Sequence, residues 1–313
     1  MSSKPDASSI GTPGLPWGDV ERATWKARQI RQRSYAADVL ARIEPLRARF
    51  DVFEYGRIEV DGDVFPLFAI GSLGWREGTE SDEPLVLVTG GVHGYETSGV
   101  QGALAFIERL GTEVASRVDW LVAPCISPWA YERVQRWNAQ AIDPNRNFRD
   151  ASPCAESAAL AAVVATLGDR VRLHVDLHET TDSDEAEFRP ALAARDGKTF
   201  EPGVIPDGFY LVADTPRPEL DFQRAIIEAV AKVTHIAPPD ADGRIIGCPL
   251  LSAGVVAYDA RPLGLCMGLT GARYVTTTEV YPDSPRATPQ QCVDAQVEAV
   301  RAAVDYAMAA ESR

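Results

Sequence analysis

Apolar residues along the chain fall into successive patterns, and each predicts a different kind of element. Between residues 19 and 48, Val20, Ala23, Ile30, Tyr35, Val39, Leu40 and Ile43 recur at helical spacing among many Arg and Glu residues, which predicts a helix with one buried stripe. Residues 52–60 and 64–70 then flank Asp61-Gly62, a dipeptide suited to the positive φ angles of a two-residue hairpin turn. Pro66, which has no N–H to donate, points to an edge position for the second of these strands.

From residue 84 the pattern changes to strand and helix in alternation. The continuous apolar run 85–89 suits a strand covered on both faces. Helix 98–110, strand 120–126, helix 155–167, strands 171–177 and 209–213, helix 219–234, strands 255–258 and 274–278, and helix 289–308 follow. The alternation predicts an α/β fold with a mixed, mostly parallel twisted sheet between helices. Residues 1–18, polar and rich in Ser, Pro and Gly, read as a disordered segment, and residues 19–313 as one domain without repeat or linker. The long connections 127–152, 179–206 and 236–254 are of the kind that carries function.

Composition narrows the partners. Acidic residues outnumber basic ones 45 to 31, for a net charge of −14, which argues against nucleic acid or an anionic membrane as the main partner and leaves room for a local basic pocket. The five cysteines, Cys125, Cys154, Cys248, Cys266 and Cys292, contain no C-x-x-C pair, so neither a disulfide framework nor a thiolate metal site is indicated. With no leader-like start and no apolar run of membrane-spanning length, the protein is expected to be cytoplasmic; its oligomeric state is left open.

Two short stretches carry candidate chemistry. Gly90-Gly91-Val92-His93-Gly94-Tyr95-Glu96 follows the buried strand, where ligands bind in open α/β sheets, and the His93/Glu96 spacing lets an imidazole and a carboxylate reach one cation. The plain alternative is a capped helix start with a solvated His and Glu. In 173–179, His174, Asp176 and His178 share one face of a strand. His174 and His178 are roughly 13 Å apart at about 3.3 Å per residue, so both cannot bind one ion. His178 lies at the strand's C-terminal end with His93, which leaves His174 as a core histidine; His235 reads as a surface or capping residue. Two histidines and one carboxylate leave a coordination position open, the mark of a catalytic zinc site.

With these pieces the chain resembles the zinc metallocarboxypeptidase family, and through its metal motif also the succinylglutamate desuccinylase/aspartoacylase group. Residues 91–96 resemble the family's first ligand motif, and Val175-Asp176-Leu177-His178 the strand that brings the second histidine. Ile142-Asp143-Pro144-Asn145-Arg146-Asn147-Phe148 resembles its carboxylate-binding segment, Arg136-Trp137-Asn138-Ala139 the stretch with a second arginine, and Thr276-Thr277-Thr278-Glu279 the strand with the catalytic glutamate. They occur in family order across residues 52 to 280.

The resemblance implies one zinc per chain on His93, Glu96 and His178, with Asp143 fixing the tautomer of His93. Asn145 and Arg146 would grip a substrate carboxylate, Arg136 would stabilise the oxyanion, and Glu279 would be the general base. Tyr258 is the candidate substrate-facing tyrosine, with a core aromatic as its alternative. Asp259 and Arg261 read as solvated loop charges. For Arg136 and Arg146 taken alone, surface salt-bridging is the plain reading; for Glu279 it is an exposed strand-end carboxylate.

The implied activity is zinc-dependent hydrolysis of an amide bond next to a free C-terminal carboxylate, on a peptide or acyl-amino-acid substrate. An N-acyl-amino-acid amidohydrolase is the alternative, though the short stretch after Glu279 reads as one helix, not as the additional β domain usual in that group. A non-catalytic metal- or peptide-binding module is a third reading, which the candidate base Glu279 argues against. No G-x-S-x-G elbow supports a serine hydrolase.

Overall fold

The computed structural model describes residues 9–75 and 84–311 of the 313-residue chain. The described strands are β1 (Asp51–Val60), β2 (Asp63–Gly71), β3 (Leu85–Gly90), β4 (Asp119–Ala123), β5 (Val171–Glu179), β6 (Tyr210–Asp214), β7 (Arg244–Ile245), β8 (Cys248–Pro249), β9 (Val255–Tyr258) and β10 (Tyr274–Val280). The α-helices are α1 (Asp19–Ala27), α2 (Ala41–Ile43), α3 (Thr97–Ala115), α4 (Pro128–Arg133), α5 (Ala155–Ala165), α6 (Arg189–Arg195), α7 (Leu220–Val230) and α8 (Pro289–Glu311).

Eight strands form one sheet in the order β1-β2-β4-β3-β5-β10-β6-β9, and β7 with β8 makes a separate small ribbon. The central strands β4, β3, β5 and β10 run parallel, as do β6 and β9; β1 with β2, β2 with β4 and β10 with β6 are antiparallel. This is the mixed, mostly parallel α/β sheet that the alternating pattern predicts.

The pleat divides the core into two layers. Val86 and Val88 of β3 and Leu173, Val175 and Leu177 of β5 pack with α3 and α8 residues such as Val100, Leu104 and Val300. On the other face, Leu85 and Leu87 meet Leu160 and Val164 of α5, together with Val212, Val256 and Val275. His174, Asp176 and His178 alternate with the first set, so they lie on the α5 face.

The structure departs from the sequence pattern in four places. The helix expected over 19–48 stops at Ala27, and Gln32 and Arg33 donate their backbone N–H groups to Glu132 O instead of to a helix. Helical structure resumes only in short turns over 36–48, which bury Tyr35, Val39 and Ile43 while Val20 and Ile30 remain exposed. Residues 9–18, expected to be disordered, are packed: Trp17 is buried, its Nε1 donates to Ile10 O, and its ring meets Trp137 edge to face at 6.1 Å. Residues 1–8 lie outside the described residues. The strand with Pro66 is not an edge strand, since β2 lies between β1 and β4; pairing with β4 covers only Ile70 and Gly71, so at Pro66 that side of the ladder is open. Within 179–206 the chain forms α6, an element the sequence reading passed over.

Candidate active site

The site stands at the C-terminal ends of the central parallel strands. The chain leaves β3 at Gly90 and turns through Gly91, at φ +62°, into the segment bearing His93 and Glu96. Gly94 packs so tightly that a Cβ there would fall 2.0 Å from the backbone of Ala130 in α4, so only glycine fits this turn. β5 delivers His178 beside it, and β10 delivers Glu279 in register with His178.

His93, Glu96 and His178 offer ligand atoms that all lie within 4.8 Å of one another, and the three residues are no more than 2% exposed. His93 Nδ1 is 2.7 Å from Glu96 Oε1, and His178 Nδ1 is 2.9 Å from Glu96 Oε2. Both imidazoles turn Nδ1 inward and Nε2 outward. Outside, His93 Nε2 meets Asp143 Oδ1 at 2.9 Å and His178 Nε2 meets Asp176 Oδ2 at 2.8 Å. Each outer carboxylate can hold an N–H and so leave the inner lone pair free for a cation. Burial by itself would raise the Glu96 carboxyl, but His178 and His93 hold it down at about 2. Three buried, convergent N and O donors with an open position fit a metal ion of the zinc class.

Around this centre a cavity of about 440 Å³ is lined by Arg136, Asp143, Asn145, Arg146, Tyr258 and Glu279, and by Tyr95 and Thr180. Arg136 is held by Asp143 Oδ2 at 3.1 Å and Asp184 Oδ1 at 3.3 Å. Asn145 Oδ1 accepts from Cys266 N at 2.7 Å, and its Nδ2 lies 3.5 Å from His178 Nε2. Arg146 donates to the neighbouring Asn145 O and, among the described residues, has no carboxylate partner. Glu279 accepts from Thr180 Oγ1 at 3.0 Å; burial, with Glu96 adding to it, raises its carboxyl to about 8 against the opposing pull of His178. Tyr258, on β9, lines the cavity from a level four residues along the sheet from Glu279, as the register through Asp214 requires. Asp259 and Arg261 are not among the lining residues.

Several residues of the site were not singled out from the sequence. Tyr95 donates to Asp184 at 2.9 Å and stacks on His93 at 5.9 Å. Asp184, Phe188, Leu192 and Arg195 reach the cavity from the turn after β5 and from α6. Glu179 accepts from the N–H groups of Thr97 and Ser98 at the start of α3, and burial raises it to about 7. Asp176, by contrast, is named by the sequence pattern, two residues before His178 on one strand face, though without a role.

Comparison with known proteins bears on this geometry. Residues 82–198 match the succinylglutamate desuccinylase/aspartoacylase catalytic domain. Three solved structures superpose over most of the chain. They are a candidate metallopeptidase from Shewanella amazonensis SB2B (22% identity, 87% of this chain and 91% of that one, TM-score 0.61), a metallo-carboxypeptidase from Burkholderia cenocepacia (17%, 95% and 70%, 0.57) and carboxypeptidase A from Helicoverpa armigera (13%, 100% and 78%, 0.58). The chain has the zinc carboxypeptidase-like fold. Within that fold, related to the desuccinylase/aspartoacylase group, the domain match spans His93, Glu96, Arg136, Asp143, Asn145, Arg146 and His178 and ends before Tyr258 and Glu279. No curated protein sequence matches the chain.

Proposed function

We propose that the protein is a zinc-dependent hydrolase that cleaves an amide bond next to a free carboxylate. The observation that carries this reading is the side-by-side placement of Glu279 and His178 at the edge of three residues whose ligand atoms converge as a metal ion would require, with Arg146 unpaired by any described carboxylate in the same cavity. Zinc held by His93, Glu96 and His178 would supply a Lewis acid at neutral pH.

The other steps fall to the chain's own side chains. Arg146, with the Asn145 amide beside it, would hold the substrate carboxylate, for which a planar guanidinium is well shaped. Arg136, fixed by Asp143 and Asp184, would face the scissile carbonyl oxygen as negative charge develops there. Glu279 would take a proton from the attacking water and return it to the leaving nitrogen. To act as a base it must be ionised, and positive charge in the centre favours that form. Tyr258 would close on the substrate from the far side of the cavity.

A second reading, an amidohydrolase of N-acyl-amino acids, is favoured by the domain match over 82–198. Both readings place a free carboxylate on the leaving group, and they differ in what lies on the acyl side. The test is hydrolysis of peptides and of simple acyl-amino acids, each by metal-loaded and metal-stripped protein. Cleavage of either class only when metal is present supports the proposal; equal rates without metal would overturn it.

A further inference from the structure

Beneath the three metal-binding side chains, hydrogen bonds continue into the core for two more residues. His178 Nε2 meets Asp176 Oδ2 at 2.8 Å. Thr89, the partner of Asp176 across the β3–β5 ladder, donates its hydroxyl to Asp176 Oδ1 at 2.6 Å. His174 Nε2 lies 3.0 Å from Thr89 Oγ1, and Cys266 Sγ lies 3.5 Å from the same oxygen. Thr89, His174, Asp176 and Cys266 are all 0% exposed, so these contacts are shielded from bulk solvent.

Proton counting gives the chain a direction. An ionised carboxylate only accepts, and Thr89 has a single hydroxyl proton. The shorter contact, to Asp176, takes that proton, so His174 Nε2 must donate to Thr89 Oγ1. Burial, the dominant influence, lowers His174 to about 4 and keeps it neutral, which leaves Nδ1 without a proton. Among the described residues, that Nδ1 has no hydrogen-bond partner. An unpaired buried acceptor is unfavourable, and an apolar residue would fill the position without it, so packing does not account for a histidine here.

We infer that Thr89 and His174 are positioning residues for the metal centre, an inference that rests on the metal-dependent reading above. Donation from His174 to Thr89 and from Thr89 to Asp176 aims one carboxylate oxygen at His178 Nε2. This locks His178 in the tautomer that presents Nδ1 to the centre. The opposite ligand is held differently. Asp143, which faces His93, is clamped by the Arg136 guanidinium and by Asn145 N at 2.9 Å. One histidine is therefore set by charged groups beside the cavity, and the other by neutral groups in the core. The neutral arrangement leaves more of the Asp176 charge for His178, which makes that imidazole the stronger donor.

The test is zinc affinity by chelator competition, together with the absorption spectrum of the cobalt-substituted protein and the thermal unfolding of the metal-free protein. Thr89→Val keeps the shape and removes the hydroxyl; it should weaken zinc binding by about tenfold or more and shift the cobalt bands. Thr89→Ser restores the hydroxyl and should recover affinity to within about threefold of wild type. His174→Leu should weaken zinc in the same direction while the metal-free protein unfolds no earlier, a separation that a merely structural role would not give. It also carries the test if Thr89→Val does not fold. Zinc affinity within about twofold of wild type and an unchanged cobalt spectrum in both variants would overturn the inference. A wild-type protein that binds no zinc would overturn both this inference and the metal reading, and only that result reaches the latter.

Discussion

Glu279 and His178 are direct neighbours in the parallel ladder between β10 and β5, so a carboxylate and an imidazole emerge together from one edge of the sheet. Tyr210 of β6 continues the row on the other side of Glu279. Paired positions in a ladder point to the same face, so the sheet itself sets the distance between candidate base and candidate ligand.

Replacing Glu279 by Gln keeps shape and removes basicity. Turnover should fall by about 10²- to 10⁴-fold, with metal content unchanged. Steady-state kinetics and elemental analysis on the same preparation check this, and activity within about threefold of wild type would exclude the base role.

Purified protein should carry zinc in a one-to-one ratio with the chain. His178→Ala removes an inner donor and should abolish that zinc, whereas His174→Leu, whose ring points into the core, should keep it at saturating metal. Loss of zinc in His174→Leu at saturating metal with retention in His178→Ala would reverse the ligand assignment.

His174 also predicts a pH dependence of stability in the metal-free protein. The unfolded chain protonates this imidazole near its ordinary value of about 6.5, and the native chain only near about 4, because burial disfavours the charge. Between those values the unfolded state binds more protons. Stability is therefore lost as pH falls from about 6.5 to about 4, by something on the order of 3 kcal/mol. Urea unfolding at a series of pH values should show this slope in wild type and a shallower one in His174→Leu; identical slopes would contradict it.

Trp17→Ala tests the packed N-terminal segment. The side chain is buried against Trp137, and its backbone N–H donates to Arg195 O at the end of α6, which lines the cavity. A large-to-small change of this kind costs about 3–5 kcal/mol, which denaturant unfolding will read. An effect below about 1 kcal/mol would mean that the segment contributes little.

Much of the fold was legible because local signals and tertiary structure agree. The Asp61-Gly62 turn adopts positive φ at both residues, 52° and 88°, and the hairpin forms around it. The alternating strands and helices from residue 84 appear within a few residues of their expected limits. The helix over 19–48 was misjudged because backbone bonds to Glu132, distant in sequence, replace helical ones, and spacing alone cannot reveal that. Residues 9–18 looked disordered by composition, yet the buried Ile10 and Trp17 and a backbone bond from Trp17 to Arg195 hold them in place. His93, Glu96 and His178 were visible from strand-end placement. Tyr95, Asp184 and α6 were not, because their part in the cavity depends on how the connection after β5 folds back over it.

The central claim is that Arg146 and Asn145 read a free carboxylate beside the scissile bond. The most direct measurement is kcat/KM for a matched pair of substrates, one ending in the acid and the other in its amide, with wild type and Arg146→Ala. Wild type should strongly prefer the acid. Arg146→Ala should lose about 2 to 4 kcal/mol of transition-state binding, or roughly 30- to 1,000-fold in kcat/KM, on the acid alone. If wild type cleaves the amide as well as the acid, the claim is contradicted and the site serves a broader amidohydrolase.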